Sequence, residues 1–575
     1  MLDVERTTSL LAKIYGLDST PPVLTGVQEI CRKYESRIPK RARAALGERD
    51  AVLISYPDQV QSPGVSPLAC LGDFLATYVG DLVSGVHVLP FFPSSSDDGF
   101  SVTDYRTVDP RYGTWGDVEN IGQHYGLMFD AVINHVSAGS RWFQAFLRGE
   151  PHYSDYFIRI SGRPDLSTVV RPRSSPLLTS FETAHGNKTM WTTFGPDQID
   201  LNYRNPAVLL DILNVLLYYA GQGASFLRLD AVAYLWKELN TECIHLPQAH
   251  WIVQLIRTVI ADVAPHVALL TETNVPQAQN TTYFGDGTNE AHLIYNFALP
   301  PLVLHAFQTA TAVRLSEWAR SLTWPSAQCT YFNILASHDG IGLNPVRGIL
   351  TESEIETLAR TIAEGSGRLS LRSNPDGTTS PYEINASYFD ALEGPSEKLA
   401  MELQVQRFVT AHAILLAFKG LPGLYFHSLF GSRGWSAGVA QTGRFRSINR
   451  QKLDRNQLTA ELLDERSLRS QIYSRLRHLL RARSRLPAFS PRAGQRVLEG
   501  GPSIFALLRG DEESDAQVLC VHNTSGEMQS FRCNQWAAPI MGSGALREVI
   551  AGQRVDWHRE GTLMLKPFQS MWLTI

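Results

Sequence analysis

The sequence predicts an α/β fold: a (β/α)8 TIM barrel with insertions after its third and seventh strands, an N-terminal helical extension and a small C-terminal β-domain. Three observations carry this expectation: eight short apolar, β-branched runs spaced by longer segments, a helix that feeds straight into one of them, and a change of texture near residue 491. Near-continuous apolar strands are what a parallel sheet covered on both faces requires. A chain of 575 residues also exceeds one ordinary core, so a large domain with attachments is the natural division.

Residues 1–50 read as a helical extension, TTSLLAKIYG and then VQEICRKYESRI, joined by the basic stretch KRARAALGER to the first strand. The eight strands are AVLISY (51–56), GVHVLPF (85–91), LMFDAVIN (127–134), FLRLDAV (226–232), VALLTE (267–272), LIYNFALP (293–300), YFNILAS (331–337) and GLYFHS (423–428). One connecting helix is explicit. Asn205 supplies an N-cap, Pro206 the first helical position, AVLLDILNVLLYYA a broad apolar face, and Gly221 and Gly223 the stop before FLRLDAV. The barrel therefore takes 51–137, 205–340 and 399–490. Two gaps are too long for plain crossovers, so 138–204, rich in Pro, Ser, Arg and aromatics, and 341–398, with the turn signal NPDG, are insertions. Such insertions sit on the face where barrel active sites lie. RLRHLLRARSRL (475–486) has leucines at helical spacing and reads as the last barrel helix with a solvated face. Short alternating runs from 491 to 575 read as the C-terminal β-domain.

The apolar fraction of 44%, the charged fraction of 19% and a net charge of −4 describe an ordinary globular protein, with no basic face for a nucleic acid. No apolar run approaches a membrane span, and the acidic start MLDVERTTSLL does not resemble a secretory signal. The six cysteines are scattered without metal-ligand spacing, so a reduced, cytoplasmic protein is expected. No feature sets the oligomeric state, and a homodimer is compatible with the sequence.

Polar groups at the C-terminal ends of barrel strands are the ones that reach substrate. Here those ends carry Asn134-His135, Arg228-Leu-Asp230, Glu272 and His338-Asp339, and the loop after the second strand carries Asp97-Asp98-Gly-Phe100. Arg228 and Asp230, two apart on a strand, face the same way. An arginine neighbour favours an ionised Asp230, which suits a nucleophile. Glu272, on the next strand and close to other carboxylates, is expected to stay protonated as a general acid. Carboxyls on adjacent strands fit the separation of about 5–5.5 Å found in retaining glycosidases. Asp339 supplies a third charge to oppose a developing oxocarbenium ion or grip sugar hydroxyls.

In order along the chain, DAVINH, FLRLDA, LLTE and ASHD resemble the four signature segments of the α-amylase family, glycoside hydrolase family 13. The resemblance implies Asp230 as nucleophile, Glu272 as acid/base and Asp339 as transition-state stabiliser, with His135, Arg228 and His338 at the glucose site. SYPD, HVLPFFPSSSDDGF, RPRSSPLLTSF, RLDAVAYLWKE, SHDGIG and GRFRSINR narrow it to the sucrose-phosphorylase subfamily. That pattern adds Asp97, Phe100 and Arg446 to the glucosyl pocket, and Arg173 and Tyr234 to phosphate binding. Two positions depart from it. Asn274 stands where sucrose phosphorylases have a histidine, and Tyr382-Glu383 where they have a tyrosine and a glutamine. Both positions contact acceptor or phosphate. The helical extension and the stretches TETNVP, PPLVLHA, HDGIGLNP and SPYEIN resemble glucosylglycerate phosphorylases instead.

The resemblance implies reversible phosphorolysis of an α-glucoside of D-glycerate by inorganic phosphate, with small molecules as the only partners and no cofactor or metal. Glycerate and phosphate are small anions that use one subsite in turn, which suits arginine. Arg173 is the first candidate and Arg433, in FGSRGW, the second. Glu383 pairs with an arginine or binds a glycerate hydroxyl. The alternatives are phosphorolysis of sucrose, its phosphate ester or glucosylglycerol, plain α-glucoside hydrolysis, and a non-catalytic binding scaffold. The scaffold reading predicts that one of the three acids is lost, and all three are present.

Overall fold

The computed structural model describes residues 2–173, 175–373, 378–394, 399–511, 516–532, 546–555 and 562–574. Cys533 and the NPDG stretch (374–377) lie outside them.

Eight parallel strands close a barrel. They are β1 (Val52–Ser55), β2 (Gly85–Val88), β3 (Gly126–Val132), β4 (Ala224–Asp230), β5 (Ala268–Thr271), β6 (Leu293–Tyr295), β7 (Thr330–Asn333) and β8 (Leu421–Tyr425). Each pairs in parallel with its sequence neighbours, and β8 closes on β1 through Val52 opposite Gly423. Several strands are shorter than their apolar runs. The chain leaves β6 at Tyr295, and Leu299–Thr309 is a helix with Pro300 and Pro301 in its first turn, where a missing N–H costs nothing. Beyond β8, Phe426–Leu429 is likewise a short helical turn. The apolar pattern overran because these segments are buried too. Burial continues past the last ladder bond, and composition does not distinguish the two.

The extension forms α1 (Val4–Tyr15) and α2 (Thr20–Glu35). They pack on two barrel helices, α3 (Pro206–Gly221) and α4 (Pro247–Val263). Gly26 lets α2 approach closely: a Cβ there would stand 2.8 Å from Leu210. Tyr34 then donates to Asn214 Oδ1 at 2.9 Å. The last barrel helix is α5 (Leu468–Arg483), which buries Leu476, Leu479 and Leu480. Its arginines are not all solvated, contrary to expectation. Arg483 is 1% exposed and donates to the carbonyls of Asp50, Leu416 and Phe489. It ties the helix to the entry of β1, a role that leucine spacing does not report.

The first insertion carries a hairpin, Leu178–Thr183 against Gly186–Trp191. It is anchored where His135–Ser137, just past β3, pairs antiparallel with Gln198–Asp200. A buried polar knot secures that joint: Lys237 is ion-paired to Asp200 and donates to Asn134 Oδ1 at 2.9 Å, while Thr193 donates to Asp200 at 2.6 Å. The second insertion holds the helix Glu352–Glu364, capped by Thr351 and Glu354, and a three-stranded sheet of Ile341–Gly342, Thr379–Asn385 and Arg368–Ser373. Among the described residues, the C-terminal domain holds a six-stranded antiparallel sheet and a two-stranded one, with an apolar core of its own that includes Ile504, Val521 and Leu573. No helix among the described residues is long and apolar enough to cross a membrane.

Candidate active site

The C-terminal mouth of the barrel opens into a cavity lined by Asp97, Phe100, His135, Arg173, Asp230, Tyr234, Glu272, Asn274, His338, Asp339, Tyr382 and Arg446. Several separate stretches of chain meet there, Arg446 coming from the segment that follows β8. The strand ends supply the acids, the loop after β2 supplies Asp97 and Phe100, the first insertion Arg173, and the second Tyr382.

Arg228 lies beneath the cavity, 2% exposed. Its Nη1 donates to Asp230 Oδ1 at 2.9 Å and to Asp130 Oδ1 at 2.6 Å, and its Nη2 stands 4.0 Å from Glu272. Asp130 is held from behind by His87 at 2.7 Å. Burial raises the Asp130 carboxyl, but His87 and Arg228 outweigh it and leave it below its ordinary value. Directly after Asp230, Ala231 takes a left-handed conformation, φ 54°, unusual for a residue with a side chain. The turn aims its N–H at Glu272 Oε2, 3.3 Å away. Local strain here orients an acid.

The environments of the carboxyls differ. Burial, together with the charges of Asp230 and Asp339, pushes Glu272 up to about 7 against the pull of Arg228. Burial also raises Asp230, and Arg228 and His135 oppose it without cancelling it, so the carboxyl stays above its ordinary value. The arginine therefore does not set Asp230 alone, which corrects the simpler expectation. Arg228 bonds to Asp230 and not to Glu272, so negative charge resides on Asp230 when the two share a proton. Asp339 is also raised by burial, but Arg446, chiefly, holds it far below the usual carboxylate range, with Arg450 3.4 Å away. Asp97 is ionised for the same reason: Arg173, Arg446 and Arg450 outweigh its burial.

The remaining wall is aromatic and polar. Phe100 stacks on His338 with centroids 4.9 Å apart and planes 5° from parallel. Burial lowers His338 to about 3, so its ring is neutral. His135 Nε2 lies 3.0 Å from the Phe100 carbonyl and 3.1 Å from Gln198 Nε2, and Gln198 also donates to Asp97 Oδ2 at 3.2 Å. Tyr234 meets Phe194 edge to face at 5.5 Å.

Three of the sequence candidates do not line the cavity: Arg228 lies beneath it, and Glu383 and Arg433 are engaged elsewhere. Glu383 is 1% exposed and grips Arg446, accepting from its Nε at 3.0 Å and from its Nη2. Of its two expected roles, the structure places it in the arginine pair. Arg433 lies apart. Asp390 accepts from it at 2.8 Å and Gln404 at 3.0 Å, and its plane covers Phe389 at 4.8 Å. Its loop sits beside other elements, which local sequence cannot report. Conversely, His87, Asp130, Gln198 and Arg450 contact the site residues, His87 through Asp130, and were passed over by the strand-end rule. Asp130 stands in DAVINH and Arg450 in GRFRSINR, two segments already singled out. Arg450 donates to the His338 carbonyl at 2.8 Å and pairs with Asp98. Period-two spacing from the end of β3 would have found Asp130. Nothing local marks Gln198.

A closed parallel barrel with three acids at its mouth defines the class. The family model described as "Alpha amylase, catalytic domain" matches residues 76–341. Two relatives resemble nearly the whole chain. The glucosylglycerate phosphorylase of Allomeiothermus silvanus is 46% identical over 98% of this chain and 97% of its own length. That of Spirochaeta thermophila is 46% identical over 100% and 99%. Among solved structures, sucrose 6F-phosphate phosphorylase from Thermoanaerobacter thermosaccharolyticum superposes with a TM-score of 0.72 at 25% identity, over 83% of this chain and 94% of that one. The chain belongs to the α-amylase family. Within it, the chain falls in the group formed by the glucosylglycerate phosphorylases.

Proposed function

We propose that the protein is a retaining glycoside phosphorylase that acts reversibly on 2-O-α-D-glucosyl-D-glycerate and inorganic phosphate, yielding α-D-glucose 1-phosphate and D-glycerate. The observation that carries this reading is the 46% identity along 98% of the chain to a glucosylglycerate phosphorylase, helical extension included.

The site's electrostatics support a two-step mechanism. Asp230 Oδ attacks the anomeric carbon while Glu272 gives its proton to the departing glycerate oxygen. The glycosidic bond breaks and a β-glucosyl ester of Asp230 forms. Hydrogen phosphate then attacks the same carbon from the face glycerate left, the ester bond breaks, Asp230 is released as carboxylate, and the proton the phosphate carried returns to Glu272. Two inversions leave net retention. Phosphate already carries negative charge, so it needs cationic partners more than a base, and Arg173 is placed to serve. Asp339, fully ionised between Arg446 and Arg450, opposes the positive charge that builds on the sugar ring. Asp97, Phe100, His135 and His338 shape the pocket for that ring, and Tyr234, Asn274 and Tyr382 flank the incoming anion. A cytoplasmic setting fits the free, buried thiols of Cys31, Cys70, Cys243, Cys329 and Cys520.

The decisive assay supplies α-D-glucose 1-phosphate with a panel of acceptors and follows phosphate release. D-Glycerate should be strongly preferred. Preference for fructose or glycerol would overturn the acceptor assignment, and glucose release at one rate with or without phosphate would mark a hydrolase.

A further inference from the structure

A second cavity, of about 210 Å³, lies against the wall of the catalytic one. Pro172, Tyr234, Asn274 and Val275 line both, so a single layer of side chains separates them. Its space is enough for several waters, at about 30 Å³ each. Three arginines line it: Arg171 from the first insertion, and Arg347 and Arg372 from the second.

Among the described residues, two of these arginines, Arg171 and Arg372, lack the carboxylate partner that such a cluster calls for. Arg347 and Arg372 converge on one neutral oxygen: Asn344 Oδ1 accepts from Arg347 Nε at 3.4 Å and from Arg372 Nη1 at 3.2 Å. Arg347 is balanced by Glu352. Arg372 donates otherwise to Ser380 Oγ at 3.0 Å, and Arg171 to the Ser175 carbonyl. Among the described residues, no carboxylate comes within ion-pair distance of Arg171 or Arg372, and the one acid on the cavity wall is Glu242. Burial and the charge of Arg347 both push Arg372 below its ordinary value. Two guanidinium groups sharing a neutral acceptor gain most from an oxyanion placed between them.

We propose that this cavity is a second oxyanion site, in which Arg171, Arg347 and Arg372 hold an incoming phosphate or glycerate beside the acceptor subsite until that subsite empties. The proposal rests on the phosphorylase reading. In that reaction one small anion must replace another while the glucosyl ester stands open to water. A cationic recess next to the subsite raises the local anion concentration and favours the anion over water.

Arg372→Gln and Arg171→Gln test it. Three quantities are measured: the KM for phosphate in phosphorolysis, the KM for D-glycerate in synthesis from glucose 1-phosphate, and the ratio of phosphorolysis to hydrolysis. An anion KM should rise about tenfold, the scale of one charge-assisted hydrogen bond, and the ratio should fall, because water needs no guanidinium. Arg372→Lys should recover most of the affinity. A rise confined to phosphate, or to glycerate, identifies the anion the site serves. Unchanged KM values for both anions in folded variants, checked by melting temperature, overturn the proposal. A wild-type enzyme that releases only glucose would instead overturn the phosphorylase reading.

Discussion

At the scale of single residues, the pair Asp230 and Glu272 shows how position divides one chemistry into two roles. Both are carboxyls at the ends of adjacent strands, Asp230 buried and Glu272 half-buried, and Arg228 donates to one of them. Asp230→Ala should abolish turnover while leaving the melting temperature near wild type. Glu272→Gln should lower kcat for glucosylglycerate by about 10²–10⁴, the usual worth of general acid–base assistance. The loss should shrink for a donor whose leaving group needs no proton, such as a nitrophenyl glucoside; an equal loss with both donors would refute the acid role. The pH profile follows from the same group. Its folded-state value is raised to about 7, and the proposed mechanism uses the protonated form in glucosyl transfer to the enzyme. The rate of that step should therefore hold below pH 7 and fall above it, and Glu272→Gln should lack this descending limb.

Secondary-structure elements locate these residues, and the N-terminal extension is the plainest case. Its two helices are stapled to the barrel by apolar packing, by the Tyr34–Asn214 hydrogen bond and by the close approach at Gly26. Gly26→Leu puts a branched side chain where Leu210 already sits. It should destabilise the protein by about 1–3 kcal/mol, the usual cost of overpacking, and expose the extension to limited proteolysis. A variant as protease-resistant as wild type would show that α2 can shift without cost. The sequence marks the existence of such elements more sharply than their boundaries. The apolar runs of β6 and β8 continue into buried helical turns, and an arginine of α5 is swallowed by the core. Burial, not strand pairing, is what apolar composition reports.

The whole molecule brings two insertions over one barrel mouth, where the proposed acceptor subsite lies. Arg173, Tyr382 and Arg446 come from different stretches of chain, and Arg446 is held between Asp339 of the barrel and Glu383 of the second insertion. Arg173→Ala should raise the KM for phosphate by about tenfold or more, the scale of a lost charge-assisted contact. The affinity for the glucosyl donor should change less. An unchanged phosphate KM would move the anion role elsewhere.

The sequence by itself determined the barrel, its insertions, the attached domains and the three acids. Those features rest on local regularities: apolar runs of strand length, caps and breakers, and polar residues at strand ends. Only the tertiary structure decided which charges share a site. Asp130 and His87 brace Arg228 from neighbouring strands, Glu383 binds Arg446, and Arg433 stays with Asp390, far from the role its residue type suggested. Electrostatic partnership depends on distance in space and on burial, and neither is written in the order of residues along a loop.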